Sequence, residues 1–185
     1  MKNFGFADYD RVIYIGTNGK MSEVSAAMGL SSLDSLEEFM QANHRNYSQY
    51  REALTNVPGA RLFDYDDTEK CNYQYIVLEI DEQVTGISRD ELVRVLWAEN
   101  VIARRYFYPG CHRMEPYRSY YPDAGLMLPS TEKLVDRVLI LPTGMAVGEH
   151  EINQICRIVK LAIGNAANIR RHLSDAGQGQ TIGIS

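Results

Sequence analysis

Two segments of the sequence combine residue types that could bind an anion. The first is GTNGK at residues 16–20, a polar turn that leads into a run of small, helix-forming residues. Free N–H groups at a helix start attract anions, and the Asn18 amide and the Lys20 ammonium group would strengthen that attraction. The P-loop pattern does not fit, because Tyr14 and Met21 replace its first Gly and its Ser or Thr. On spacing alone, an ordinary helix cap explains the turn better than a phosphate site.

The second segment, ARRYFYPGCHRMEPYRSYYP at residues 103–122, is the densest polar and aromatic stretch of the chain. Arginines suit phosphates and carboxylates, and tyrosines suit the faces of sugars and bases. Loops of this composition often face a ligand when prolines order them. The same composition also fits a surface crossover, and residue types alone leave both interpretations open.

Other catalytic patterns receive little support. Cys111 and His112 are adjacent, whereas the partners of a catalytic cysteine are usually distant in sequence. The three cysteines show no spacing typical of a metal site. Residues 130–133 match SxxK of serine acyl-enzymes, but the companion SDN and KTG elements are absent. A helix cap at Ser130 or Thr131 explains this match better.

Composition limits the class of protein. The 185 residues are 45% hydrophobic, enough for one ordinary core. A net charge of −5 and a pI near 5.4 argue against a nucleic-acid surface or a polybasic membrane binder. The sequence contains no apolar run of membrane-spanning length and no apolar core of a signal peptide near its start. Few, widely spaced cysteines lead us to expect a reducing, cytoplasmic location.

The hydrophobic pattern predicts an α/β fold in which a long helix precedes a small domain. The helix spans about residues 21–57, with a break expected at Gly29 or at residues 31–32. The small domain follows in the order β-β-α-β-α-β-α. Its predicted elements are strands at 61–64, 73–80, 101–108 and 138–141, and helices at 88–100, 132–137 and 148–173. Ser88 and Glu91 form a capping box at the start of the first of these helices.

Four separated stretches together resemble the DegT/DnrJ/StrS family of sugar aminotransferases, which use pyridoxal phosphate. They are NFGF, GTNGKMSEVSAAMGL, YFYPGCHRMEPYRS and LPSTEKLVDRVLILPTG, and they cover most of the chain in the family's order. The resemblance implies the C-terminal portion of a fold-type-I aminotransferase. Residues 1–57 would then belong to the large cofactor-binding domain, 58–173 to the small domain, and 174–185 to a flexible tail.

The resemblance also implies roles for particular residues. Asn18 would contact the cofactor phosphate across a dimer interface, with Lys20 beside it. Tyr108 and His112 would lie near the nucleotide-sugar site, and we add Arg105 because its guanidinium suits an anionic substrate. The partners implied are a keto nucleotide sugar and an amino-acid donor, usually glutamate. A homodimer is also implied.

One departure from the family pattern bears on activity. Members carry their Schiff-base lysine, and the aspartate that pairs with the pyridine nitrogen, before the matched region, and neither is recognisable here. We therefore expect a C-terminal fragment that is inactive without an N-terminal part, either as a split enzyme or as a truncated remnant. The alternative is a non-catalytic module that binds a ligand or dimerises.

Overall fold

A computed structural model describes residues 6–8, 11–12, 17, 19, 21–66 and 68–177. The chain divides into two compact units, Met1–Glu38 and Phe39–Ser185. In the first unit, a short antiparallel pair precedes a helix. These elements are β1 (Phe6–Asp8), β2 (Arg11–Val12) and α1 (Glu23–Asp34).

Helix α1 begins with a conventional side-chain cap. The Ser22 hydroxyl accepts a hydrogen bond from the backbone N–H of Ser25 at 3.2 Å, which satisfies one of the free donors of the first turn. No residue of α1 is buried, and large side chains such as Met28 are exposed. The helix continues through Gly29 to Asp34, with Ser35 as its C-cap, so the break falls later than predicted. The Ser35 hydroxyl and N–H both bond back to the Ser31 carbonyl, which terminates the helix there.

The second unit begins within α2 and alternates short strands with helices. Its elements are α2 (Leu36–Leu54), β3 (Ala60–Leu62), β4 (Ile76–Ile80), α3 (Glu82–Thr85), α4 (Arg89–Ala98), α5 (Tyr117–Tyr120), α6 (Ala124–Met127), α7 (Pro129–Val135), β5 (Val138–Leu141), α8 (Glu149–Gly164) and α9 (Ala166–Gly177), with a 3-10 turn at Cys111–Arg113. No described helix combines the length and the apolar character that crossing a bilayer requires.

The three strands of this unit form an antiparallel sheet in the order β3-β4-β5. The register pairs Ala60 with Ile80 on one side of β4 and Ile76 with Leu141 on the other. Alternate residues of β4 are buried, as the two-residue period of a strand requires when one face covers a core. That core includes residues from α2, α4 and α8.

The capping box predicted at the start of α4 is confirmed. Ser88 accepts from the N–H of Glu91, and the Glu91 carboxylate accepts from the N–H of Ser88 at 2.7 Å. The box fixes where the chain enters α4, whose buried residues include Leu92 and Leu96. A sequence signal of four residues thus sets the position of one core helix.

The prediction of a strand at residues 101–108 is wrong. Only a single bridge forms there, in which Arg104 and Ile140 exchange backbone hydrogen bonds. Beyond it the chain makes turn hydrogen bonds instead of a ladder, from the N–H of Tyr108 to the Arg105 carbonyl and from the N–H of Gly110 to the Phe107 carbonyl. The small domain therefore has three strands in the described residues, not the four predicted.

A single C-terminal helix is predicted at 148–173, but the structure has two helices there, because Asn165 interrupts the helix. The Asn165 side chain donates to the Leu161 carbonyl at 2.8 Å and caps the end of α8. The domain limits 1–57, 58–173 and 174–185 stay predictions. The last eight residues, 178–185, lie outside the described part of the chain.

Candidate functional site

The segment between Arg104 and Val138 leaves the sheet and lines two cavities that share His112. The first cavity has a volume of about 590 Å³ and is predominantly apolar. Its lining consists of aromatic, aliphatic and small side chains from Tyr106, Phe107, Gly110, Cys111, His112, Tyr117, Tyr121, Ala124, Leu128, Thr131, Leu134, Val135 and Val138. Pockets of this size and character are typical of sites for small organic ligands.

The second cavity, of about 750 Å³, is more polar. Besides His112 it is lined by Pro109, Arg113, Arg118, Pro122, Asp123, Gly125, Leu126 and Glu132. Both of its arginines are already paired: Arg113 with Glu132, and Arg118 with Glu115. The polar cavity therefore offers no unpaired guanidinium among its described lining residues.

Glu132 organises the boundary between the two cavities. Its Oε1 accepts a hydrogen bond from Nε2 of His112 and another from Nε of Arg113 at 2.9 Å, while its Oε2 accepts from Nη2 of Arg113. The hydrogen bonds from Arg113, followed by that from His112, lower the pKa of the Glu132 carboxyl below its ordinary value. Glu132 is thus a charged anchor, and only 8% of the His112 side chain is exposed.

Two glycines make room for this pair. Gly110 has a φ of +92°, and a Cβ there would lie 2.7 Å from Cε1 of His112. A Cβ on Gly125 would lie 3.2 Å from Oε1 of Glu132. A side chain at position 110 would therefore meet both backbone strain and the imidazole ring.

Two guanidinium groups contact the ring of Tyr108. The Cζ atoms of Arg89 and Arg105 are 5.1 Å and 4.8 Å from its ring centroid, within the range of a cation–π contact. Asp90 lies 2.7 Å from Nε of Arg89 and 3.2 Å from Nη1 of Arg105, so one carboxylate serves both cations. Arg89 also donates from Nη1 to the carbonyl of Val138 at 2.7 Å.

Burial changes the pKa of Arg89. The residue is 2% exposed, and this desolvation lowers the pKa of its guanidinium. Its ion pair with Asp90 and its hydrogen bond to Val138 offset only part of this cost, because Nε of Arg89 has no hydrogen-bond partner among the described residues. Arg89 therefore connects the start of α4, the ring of Tyr108 and the first residue of β5.

The structure accounts differently for the residues expected to bind substrate and cofactor. Asn18 and Lys20 lie outside the described residues. Tyr108 and Arg105 are brought into contact and line neither cavity, whereas His112 lines both. Their binding roles stay predictions.

Sequence reasoning misses three organising residues: Arg89, Asp90 and Glu132. In the sequence they stand out only as parts of helix starts. The sequence does contain one signal for Glu132. The adjacent His112 and Arg113 are two potential cations, and this pair predicts a carboxylate partner nearby.

The helix cap predicted within residues 130–133 needs a correction. α7 begins after Leu128 with Pro129 in its first turn, and neither Ser130 nor Thr131 is the cap. Cys111 is exposed and lines the apolar cavity, and no cluster of metal-binding side chains occurs in the described part of the chain.

Lysines bear on whether a pyridoxal phosphate site is present. Lys70, Lys133 and Lys160 are exposed, and neither of the two cavities is lined by a lysine. A lysine that holds the cofactor aldehyde must lie where the aldehyde is enclosed. The described residues therefore do not form a complete cofactor site by themselves.

Comparison with known proteins identifies the chain at the level of its family. Residues 1–160 match the pattern of the DegT/DnrJ/EryC1/StrS aminotransferase family. The chain belongs to this family. The resemblance carried by the four sequence stretches is thereby confirmed.

A curated relative within the aminotransferase family is the dTDP-4-amino-4,6-dideoxy-D-glucose transaminase of Escherichia coli. It is 36% identical over 164 residues, which are 89% of this chain and 43% of that protein. The corresponding transaminase of Shigella dysenteriae is 33% identical over 142 residues, or 77% of this chain and 38% of that protein. The chain thus spans about two fifths of the length of these relatives.

Solved structures of aminotransferases also resemble this chain. DesI, crystallised in the presence of its TDP-sugar product, is 47% identical with a TM-score of 0.77, covering 85% of this chain and 40% of that chain. A DegT/DnrJ/EryC1/StrS aminotransferase from Brucella abortus is 25% identical with a TM-score of 0.72, and the match covers 87% of this chain and 41% of that chain. The predicted α/β class is confirmed, and the fold resembles part of these enzymes.

Proposed function

We propose that this chain forms part of a pyridoxal-phosphate-dependent transaminase. The enzyme would move an amino group from glutamate to a keto nucleotide sugar, in deoxyamino-sugar or polysaccharide biosynthesis. The observation that carries the proposal is the match to the family, together with relatives whose names specify dTDP- and TDP-sugars. The sizes of the two cavities that share His112, about 590 and 750 Å³, support the proposal. We further propose that the chain corresponds to the C-terminal portion of a fold-type-I enzyme that works as a homodimer in the cytoplasm.

The substrate-side role rests on the loop. We propose that Tyr108, Arg105 and His112 contact the nucleotide sugar. His112 is well suited to orient a ligand, because Glu132 holds its ring while the ring borders both cavities. Arg105 and Tyr108 make a cation–π contact and present a cationic, aromatic surface on the same segment.

The proposed cofactor contacts come from the sequence at residues 16–20. We propose that Asn18 and Lys20 contact the phosphate of pyridoxal phosphate, which supplies the amino-transfer chemistry when bound. The Schiff-base lysine and the aspartate for the pyridine nitrogen would come from sequence outside these 185 residues. This division fits the exposure of every lysine whose side chain is described.

The test is complementation. The chain is mixed with the separately expressed N-terminal segment of DesI, and pyridoxal phosphate, glutamate and a TDP-keto-sugar are added. We expect a protein-bound cofactor absorption band, measured after free cofactor is removed, and formation of 2-oxoglutarate only in the mixture. Asn18→Ala should weaken the band, whereas Asn168→Ala, an exposed change on α9, should not. Sugar-nucleotide binding without any band or turnover would instead favour a non-catalytic binding module.

A further inference from the structure

A further cavity is formed by α4, α8 and α9, and we call it the α4–α8 groove. Its volume is about 380 Å³, near the lower end of the range of about 300 to 1,000 Å³ that is typical of ligand pockets. It shares no lining residue with the two cavities that contain His112. Its lining consists of Val95, Glu99, Gln154, Arg157, Ile158, Leu161, Ala162, Asn165 and Ile169.

Helical spacing gives the groove an apolar floor. Residues three or four apart share one face of a helix, as Val95 and Glu99 do at the end of α4 and as Arg157 and Leu161 do on α8. Between these two faces, Val95 and Ile158 are half-buried and pack against the core. Leu161 leaves 54% of its surface exposed, so a bound apolar group would remove additional hydrocarbon from water.

Two opposite charges border this floor without pairing. Glu99 is the C-cap of α4, Arg157 lies on α8, and both residues are exposed. In the described part of the chain, neither side chain lies within ion-pair distance of the other or of any other opposite charge. Arg170 of α9, by contrast, is paired with both Glu82 and Glu91. The groove therefore presents one unpaired anion and one unpaired cation to the same ligand.

We infer that the α4–α8 groove binds a small α-amino acid with an apolar side chain. Arg157 donates hydrogen bonds to its carboxylate, and Glu99 accepts them from its ammonium group. The partial negative charge at the C-terminal end of α4 also favours an ammonium group there. The apolar side chain of the ligand packs on Val95, Ile158 and Leu161. The inference goes beyond the proposed function, which assigns no role to these residues.

The combination of charges and floor selects this class of ligand. An apolar groove alone accepts many hydrocarbon groups, whereas two unpaired charges of opposite sign favour a zwitterion. A charged side chain, such as that of glutamate, would lose water against the apolar floor without gaining a partner. Apolar amino acids should therefore bind more tightly than glutamate.

NMR titration of the isotope-labelled 185-residue chain tests the binding of a zwitterion. Ion pairs exposed to water are weak, so we expect a dissociation constant on the order of 1 mM for L-leucine. Two analogues each lack one charge: 3-methylbutylamine has no carboxylate, and 4-methylpentanoate has no ammonium group. Leucine should shift the amide signals of the groove and bind about threefold or more tighter than either analogue. Equal affinities, or no shifts at about 30 mM leucine, would overturn the inference.

Charge removal tests each polar contact separately. Arg157→Gln should weaken leucine by about threefold or more but should not weaken the amine, which has no carboxylate to lose. Glu99→Gln should likewise weaken leucine but not 4-methylpentanoate. Arg94→Gln, an exposed change on α4 outside the groove, removes an equal charge and should alter leucine binding by less than about twofold. Equal losses in Arg157→Gln and Arg94→Gln would overturn the carboxylate contact.

The apolar contact has its own test. Leu161→Gln should weaken leucine by about threefold or more, whereas Lys160→Gln, at an exposed neighbour outside the lining, should have less than about a twofold effect. Circular dichroism and thermal melts establish that each variant is folded. Binding of L-glutamate as tight as that of leucine, or unchanged leucine binding in folded Leu161→Gln, would overturn the role of the floor. None of these titrations requires cofactor or sugar, so their outcome is independent of amino transfer.

Discussion

Glu132 accepts a hydrogen bond from Nε2 of His112, a residue twenty positions earlier in the chain. The bond joins α7 to the 3-10 turn at Cys111–Arg113, and the same carboxylate also holds Arg113. Both elements lie in the segment 104–136, which has no sheet hydrogen bonds among the described residues beyond the bridge at Arg104. The position of His112 between the two cavities therefore depends on one ionised side chain.

Neutralising Glu132 should loosen the loop. Glu132→Gln keeps the shape of the side chain but replaces a charged acceptor, and charge-assisted hydrogen bonds are about twice as strong as neutral ones. We expect trypsin to cleave after Arg113 and Arg118 several-fold faster than in the unaltered protein. Glu52→Gln, an exposed change on α2, should leave the cleavage rate unchanged. Equal rates in both variants would contradict an anchoring role for Glu132.

Acid should remove the contribution of Glu132. The folded state holds the pKa of this carboxyl below its ordinary value of 4.5, so its stabilisation is present above about pH 4.5 and is lost as the pH falls through the lower folded value. The difference in melting temperature between the unaltered protein and Glu132→Gln should therefore be largest near neutral pH and shrink on acidification. A difference that stays constant down to about pH 3 would exclude the ionised carboxylate as its source.

Gly110 and Gly164 make a matched pair of glycines. Gly110→Ala places a Cβ at a φ of +92° and against the His112 ring, so we expect a loss of more than about 1 kcal/mol in the free energy of unfolding. Gly164 ends α8, and a Cβ there would have nothing within 4 Å, so Gly164→Ala should be neutral or stabilise by up to about 1 kcal/mol. Chemical denaturation measures both. Similar effects at the two positions would contradict the close packing at Gly110.

Arg89 should matter for stability in a way that its helix neighbour Arg94 does not. Arg89→Leu leaves the Val138 carbonyl without its donor and Asp90 without a buried partner, and we expect a loss of about 2 to 4 kcal/mol. Arg94 is exposed on the same helix, so Arg94→Leu should change stability by less than about 0.5 kcal/mol. Urea unfolding curves of the two variants decide the matter, and a small effect at Arg89 would mean that its contacts are dispensable.

The three thiols should differ in reactivity. Burial raises the pKa of Cys156 to about 11, so at pH 8 only about one molecule in a thousand carries the reactive thiolate. Cys111 is exposed and Cys71 is half-buried. We expect a disulfide reagent to modify Cys111 first and Cys156 only on denaturation, as read by mass spectrometry of the labelled peptides. Cys111→Ser should remove the fastest phase, and rapid labelling of Cys156 in the folded protein would contradict its burial.

Local features are predictable from the sequence because they involve residues a few positions apart. The capping box at Ser88 is of this kind, since each partner lies within the same turn and packing elsewhere cannot change the pairing. Strand β5 is predicted at its observed limits because its apolar run is bounded by Pro142, which cannot donate to a ladder.

Non-local pairing is not predictable in the same way. Residues 101–108 contain good strand formers, but a strand exists only where a partner offers hydrogen bonds, and β5 offers them only at Ile140. The same limit applies to the site. Aromatic and basic residues in the loop fit a ligand site and a surface crossover equally well, and only the fold reveals which arginines have carboxylate partners. Among the described residues, Arg105 and Arg113 have them and Arg104 does not.

The bridge between Arg104 and Ile140 has a consequence for how such enzymes diversify. The excursion that forms both cavities departs from the sheet and rejoins it at neighbouring points, so its base is closed whatever lies between. Exchange of the intervening residues for those of another family member should leave the strands in register. If the loop binds the substrate as we propose, exchanging it should transfer ligand preference from one family member to another.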